Sequence, residues 1–328
     1  MNRVFFLGNG FDLNLGLKTK YADFYNYYLS LPHSGDKAVR EFKKNIAGDM
    51  ETWAELELQL GVYTSALDAP DQLDSIRFDV MEKLLNYLES EEERADLSSL
   101  GNQKLIDDLL HAEDYISQIY IEEIRTMKSY STPAQREVRL FTFNYTKSLE
   151  KILGKVGLNN DIKSRNGRSA TVRAIEHIHG STTERAILGV DNIDQIANEN
   201  FRIESDVVEG IVKPIHNREL GHTRDRYCTG SLANANLIFI FGSSIGATDK
   251  SWWVEVARSV GPECRLVIFH RPPSSYAPAE SIKEVRERRI VKQGFLAHSD
   301  LTDAEKETAM DYIYVGVHTN IFRLKSSV

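Results

Sequence analysis

The chain has 328 residues, 41% of them hydrophobic and 27% charged, an ordinary globular composition with enough length to bury a core. Its net charge of −8 argues against general nucleic-acid binding, which needs a basic surface. Two cysteines, Cys228 and Cys264, exclude a four-cysteine zinc module and argue against a disulfide framework. No apolar run reaches the ~18 residues of a membrane span, and no basic-then-apolar leader opens the chain. The expectation is a cytoplasmic protein with no membrane partner.

Residues 3–7 form an apolar run and predict a strand that feeds Gly8-Asn9-Gly10 and then Asp12. Residues 21–30, 37–46, 52–69, 71–89 and 103–130 carry helical periodicity. A normal crossover between parallel strands uses one helix. The stretch at about 36–130 is therefore expected to be a helical insertion or lobe. Pro133 marks a loop, and residues 138–143 predict the second strand. Residues 164–170 read as a loop and 174–179 as the third strand. The run LIFIF at 237–241 is continuously apolar, as in a strand buried on both faces. Residues 265–269 give another strand, 271–278 a loop, and 313–324 a further strand at an edge. Strands separated by helices imply an α/β fold with a mostly parallel sheet, read as one domain over 1–328.

Ligands on such sheets sit at the carboxyl ends of the strands. Four predicted strand ends present small or polar groups: LGNGFD, FTFNYT, EHIHGS and FGSSIGATD. Gly8 and Gly10 permit a tight turn and close backbone approach to a ligand. The next glycine is Gly16, so G-x-G-x-x-G is not met, and a tight turn with no ligand is the alternative. Asp12 would repel phosphates. It is expected either to cap its own helix or to accept hydrogen bonds from ribose hydroxyls. Asn144 could orient a water or a ribose hydroxyl, or simply end a strand.

His177 and His179 share a strand face, and a general base is the favoured reading of His179. Gly242-Ser243-Ser244 reads as a second nucleotide-contact turn. Asp249, before Trp252, reads as a helix cap. Trp53 and Glu57, four apart on a predicted helix, are expected to make a structural pairing.

The segments LGNGFDLNLGLKTKYADF, FNYTKSLE, HIHG followed by ILGVD, and FGSSIGATDKSWW resemble the phage abortive-infection AbiH family. They spread over 7–253. The resemblance implies a bacterial protein associated with phage defence, with a phage-derived trigger. A more distant resemblance is to the sirtuin-like fold, whose motif order is a glycine loop, T-x-N, H-G and a glycine-serine turn. It implies a Rossmann-like (sirtuin-like) sheet and NAD as substrate or ligand. Carried over, Asn144 positions water near the ribose and His179 acts as base. Gly8, Asn9, Gly10, Asp12, Thr142, Gly180, Gly242, Ser243 and Ser244 would contact the nucleotide. Asn9, Phe11 and Asp12 depart from the usual loop, and Thr146 replaces an acid that commonly follows the asparagine. Without a four-cysteine module, NAD hydrolysis is favoured over deacylation, and no metal is expected.

Two alternatives stand beside this reading. One is a metal-dependent nuclease or phosphoesterase using His177, His179, Asp191 and Asp12. The other is a non-catalytic sensor of a nucleotide or phage protein. A homo-oligomer is compatible with each.

Overall fold

The computed structural model describes residues 1–32, 34–127, 136–154, 159–221, 223–272 and 281–324. Seven strands form one sheet: β1 (Asn2–Leu7), β2 (Glu137–Thr142), β3 (Asp161–Lys163), β4 (Ser169–His177), β5 (Leu237–Phe241), β6 (Arg265–His270) and β7 (Ile313–Val317). Their order is β3-β4-β2-β1-β5-β6-β7. Every neighbouring pair is parallel except β3 with β4. Leaving β3 aside, the six parallel strands run third, second, first, fourth, fifth, sixth in chain order. The order reverses between β1 and β5, and such a reversal opens a crevice at the carboxyl ends of the two strands.

The apolar runs follow from burial on both faces. On one face Phe5 stacks on Phe239 with ring centroids 4.6 Å apart. On the other, Phe6 packs on Phe141 at 5.6 Å and meets Trp253 edge-on. The first face is covered by α6 (Gln103–Leu110) and α7 (Gln118–Thr126), through Leu105, Leu109 and Ile124. The second is covered by α11 (Arg224–Ala233), α12 (Lys250–Ser259) and α13 (Ser281–Ala297), through Leu232, Trp253 and Phe295.

A third apolar cluster joins α2 (Tyr21–Ser30), α3 (Lys37–Gly48), α4 (Leu56–Tyr63) and α5 (Pro70–Arg94). These elements, like α1 (Gly10–Asn14), α6 and α7, lie between β1 and β2 in the chain. The cluster also takes in Leu188, Val190, Phe201 and Ile211 from the segment after β4. The remaining helices are α8 (Ser148–Leu153), α9 (Ser205–Ile211), α10 (Lys213–Glu219) and α14 (Asp303–Met310). Among the described residues no helix is long and apolar enough to cross a membrane.

Several elements differ from the sequence expectation. The span 52–69 is not one helix but a 3-10 turn at Thr52–Ala54, then α4, then a second turn at Thr64–Ala66. Glu55 breaks it with a non-helical ψ of 79°. The expected loop at 164–170 is the tight turn of a β3–β4 hairpin, with Gly167 at φ +83°. The third parallel strand ends at His177, so His179 sits in the turn beyond it. β7 stops at Val317, and buried Phe322 packs back on Phe241. Residues 128–130, Pro133 and 273–278 fall outside the described residues.

Candidate functional site

The loops after β1 and β5 meet at the reversal point. Gly8 N–H donates to Phe241 O at 2.9 Å, and Gly10 N–H donates to Gly242 O at 2.8 Å. A Cβ on Gly10 would fall 2.4 Å from Gly242 Cα, and Gly242 itself holds φ +71°. These glycines let the two loops touch backbone to backbone. That contact consumes the N–H groups of Gly8 and Gly10.

Above the joined loops lies a cavity of about 870 Å³. Gly8, Asn9, Gly10, Asn144, His179, Gly242, Ser243 and Ser244 all line it. Tyr21, Glu55, Glu57 and Tyr145 form another part of its wall, and His270, Arg271, His318 and Thr319 close the β6–β7 end.

Asp12, Thr142 and Gly180 do not line it. Asp12 is buried and accepts hydrogen bonds from Thr146 Oγ1 at 2.6 Å and Ser148 Oγ at 2.5 Å. It thereby clips the β1 loop to the start of α8. The N-cap position of α1 is Asn9, whose side chain bonds Thr19 instead. Burial pushes the Asp12 carboxyl up to about 6, although the two hydroxyls oppose the shift. Thr142 Oγ1 bonds Leu7 O and receives Asn144 N–H, holding the strand end together. Gly180 has φ +80°, and a Cβ there would strike Arg185 O at 1.9 Å, so it serves a tight turn.

Asn144 is buried at the end of β2. Its Nδ2 donates to Gly8 O at 3.2 Å, and its backbone oxygen accepts from His177 Nδ1 at 2.8 Å. His177 Nε2 faces Glu150 at 2.7 Å, so both its ring nitrogens are engaged away from the cavity. Asp191 accepts the Ser251 N–H at 2.9 Å near the start of α12. His177 and Asp12 therefore do not gather with His179, whereas Asp191 lines a smaller adjoining cavity with it. Among the described residues no group of three His, Cys, Asp or Glu could hold a metal ion.

His179 is 4% exposed, its ring 5.6 Å from that of Phe143. Its Nε2 lies 2.8 Å from Asp249 Oδ1, and Lys213 Nζ donates to the same oxygen at 2.9 Å. Lys213 also donates to Glu57 Oε2 at 2.7 Å. Tyr145 OH donates to Ile187 O at 2.7 Å and stands 3.4 Å from Glu57 Oε1. Burial alone would raise the Asp249 carboxyl. The Lys213 ammonium and His179 outweigh it and hold Asp249 well below the usual carboxylate range. Burial would lower Lys213, but Asp249 and Glu57 outweigh it and raise the ammonium. An ionised Asp249 only accepts, so in a neutral ring Nε2 carries the hydrogen and the lone pair falls on Nδ1; Lys213 Nζ stands 3.4 Å from the same Nε2. Nδ1 is buried and has no hydrogen-bond partner among the described residues.

Sequence reading missed Lys213 and took Asp249 for a cap. Asp249 does stand at the N-cap position of α12, but its side chain makes no cap bond. Glu57 reaches the cavity, while Trp53 is buried in the helical cluster and donates to Asn45. One signal for Lys213 was available: it sits in the apolar run GIVKPI, where a lysine is costly to bury unless paired.

The sequence model of the family described as bacteriophage abortive infection AbiH matches residues 4–270. No curated protein matches the chain. The matched segment contains the glycine loops, Asn144, His179, Lys213 and Asp249, and the chain belongs to the AbiH family of bacteriophage abortive infection.

Proposed function

We propose that the cavity binds NAD and that the protein hydrolyses the nicotinamide–ribose bond during abortive infection, in response to a phage-derived trigger. The observation that carries the reading is His179 Nδ1, buried and without a hydrogen-bond partner among the described residues, on a cavity-lining ring whose Nε2 meets the ion-paired Asp249. We read the fold as Rossmann-like, of the sirtuin-like kind, a single domain with the stretch at about 36–130, which holds α3 to α7, as a helical insertion or lobe. The 3-2-1-4-5-6 order of the parallel strands supports this.

Cleavage of the glycosidic bond passes through an oxocarbenium-like state, so the nicotinamide leaves with little acid help. What the site must supply is an oriented water and a base. Asn144 lines the cavity and is anchored to Gly8, which suits it to hold that water or a ribose hydroxyl. His179 Nδ1 takes the proton as the water oxygen bonds the anomeric carbon. The products are nicotinamide, ADP-ribose and a proton. Because the Gly8 and Gly10 N–H groups are used, the diphosphate is assigned to Ser243, Ser244 and Arg271 rather than to the β1 loop.

The test is nicotinamide release from NAD by purified protein, alone and with phage-infected extract, beside Asn144→Ala and His179→Ala. Release that disappears in both variants supports the assignment. Release that survives both overturns it. No release under either condition overturns NAD hydrolysis, and tight NAD binding without turnover favours the sensor reading.

A further inference from the structure

A second cavity, of about 230 Å³, is lined by residues of α10, α11 and α12 and shares His179, Thr248 and Asp249 with the first. Its chemistry is different. Four carboxylates line it, from Asp191, Asp225, Asp249 and Glu255, against one ammonium, Lys213. Three of the four are satisfied. Asp191 takes the Ser251 N–H, Asp249 takes Lys213 and His179, and Glu255 pairs with Arg258 at 2.7 Å.

Asp225 is the exception. Among the described residues it forms no ion pair, and its one side-chain hydrogen bond comes from Asn217 Nδ2 at a long 3.5 Å. Asn217 is itself 2% exposed, and its Oδ1 is buried with no partner among the described residues. A buried amide oxygen without a donor is rare in a native fold and calls for an explanation. Trp252, also buried, adds an indole to the wall. An acceptor lacking a donor, an unpaired carboxylate and an aromatic surface together suit a cation that carries N–H groups. The carboxylates disfavour an anion. The absence of any three-residue metal cluster among the described residues disfavours a bare metal ion.

We propose that this second cavity is a binding site for a small organic cation of the alkylammonium class, held against Asp225, Asn217 and Trp252. A ligand there sits beside the carboxylate that holds His179, so its occupancy would be felt in the larger cavity.

The test is calorimetric titration of the full chain, without nucleotide, using putrescine as the probe and 1,4-butanediol as its neutral counterpart at matched ionic strength. Saturable binding of one putrescine per chain is expected, with no saturable binding of the diol. Asp225→Asn, nearly isosteric, should weaken putrescine at least tenfold while the thermal unfolding midpoint shows the fold intact. Asn217→Asp should tighten it. Equal binding of the diol overturns the proposal, as does undiminished binding in Asp225→Asn or no saturable binding at all. Nicotinamide release is not measured in this titration, so its failure is distinct from failure of the NAD reading.

Discussion

His179 and Asp249 lie 70 residues apart in sequence, yet Nε2 of the first stands 2.8 Å from Oδ1 of the second. In a neutral ring the contact selects the tautomer that leaves the lone pair on Nδ1. Asp249→Asn replaces an acceptor by a group whose Nδ2 can donate to Nε2, which moves the hydrogen to Nδ1 and removes the base. Under the NAD reading, nicotinamide release falls by ~10²–10⁴, the usual share of general-base catalysis. The urea midpoint is measured alongside. A fall in rate explained entirely by loss of folded protein would rule the role out.

Lys213 answers two buried carboxylates at once, at 2.7 Å and 2.9 Å. Removing one partner of a buried ion pair strands the other in low dielectric. Lys213→Met is therefore expected to cost about 3–5 kcal/mol of stability in urea unfolding. Neutralising both acids as well, with Glu57→Gln and Asp249→Asn, should recover most of it. A cost below about 1 kcal/mol, typical of exposed pairs, would show that the cluster is hydrated.

The parallel strands were legible because burial on both faces writes a continuous apolar run. LIFIF coincides with β5, and the runs at 3–7 and 138–143 fall within a residue of β1 and β2. The three-residue β3, with one buried position, leaves no such trace. Asn144, His179 and Ser243, from three of the strand-end polar clusters, line one cavity. Their partners were not readable, because each bond closes a long loop. Lys213 meets Glu57 across 156 positions, and Asp12 meets Ser148 across 136. The glycines were expected to admit a ligand, and their use in loop-to-loop contact depends on Gly242, on the far side of the reversal.

That contact predicts a contrast between two glycines. Gly10→Ala places a methyl 2.4 Å from Gly242 Cα, where only backbone can yield. It should cost about 1–3 kcal/mol, as overpacking does, and should part the two loops beneath the cavity. Gly294, exposed within α13 with nothing near its Cβ position, should behave oppositely. Gly294→Ala should stabilise by roughly 0.5–1 kcal/mol through helix propensity. Thermal unfolding of the two variants is the measurement, and a neutral Gly10→Ala would contradict the tight loop contact.

Two buried acids should give the stability profile opposite slopes at acid pH. Glu113 is held by Arg3 at 2.6 Å and by Arg168 at 2.5 Å. Burial would raise its carboxyl, but the two guanidiniums bring it down to about 2 from an ordinary 4.5. Its folded value is depressed, so its contribution is full above about 4.5 and is lost as pH falls through about 2. The linkage is about 3 kcal/mol. Asp12 is the reverse. Burial raises it from 3.8 to about 6, so its ionisation opposes folding. The favourable balance exists below about 3.8 and is lost as pH rises through about 6, again by about 3 kcal/mol. Unfolding free energy measured from pH 2 to 8 should therefore climb on the Glu113 limb and sag on the Asp12 limb. Asp12→Asn should remove the sag between about pH 4 and 6 and leave the acid limb in place. Glu113→Gln should flatten the acid limb and lower the plateau, because Arg3 is then buried without its carboxylate. If the sag persists in Asp12→Asn, it belongs to another group; if the wild type shows no sag, the Thr146 and Ser148 hydroxyls satisfy the carboxylate and its burial carries no penalty.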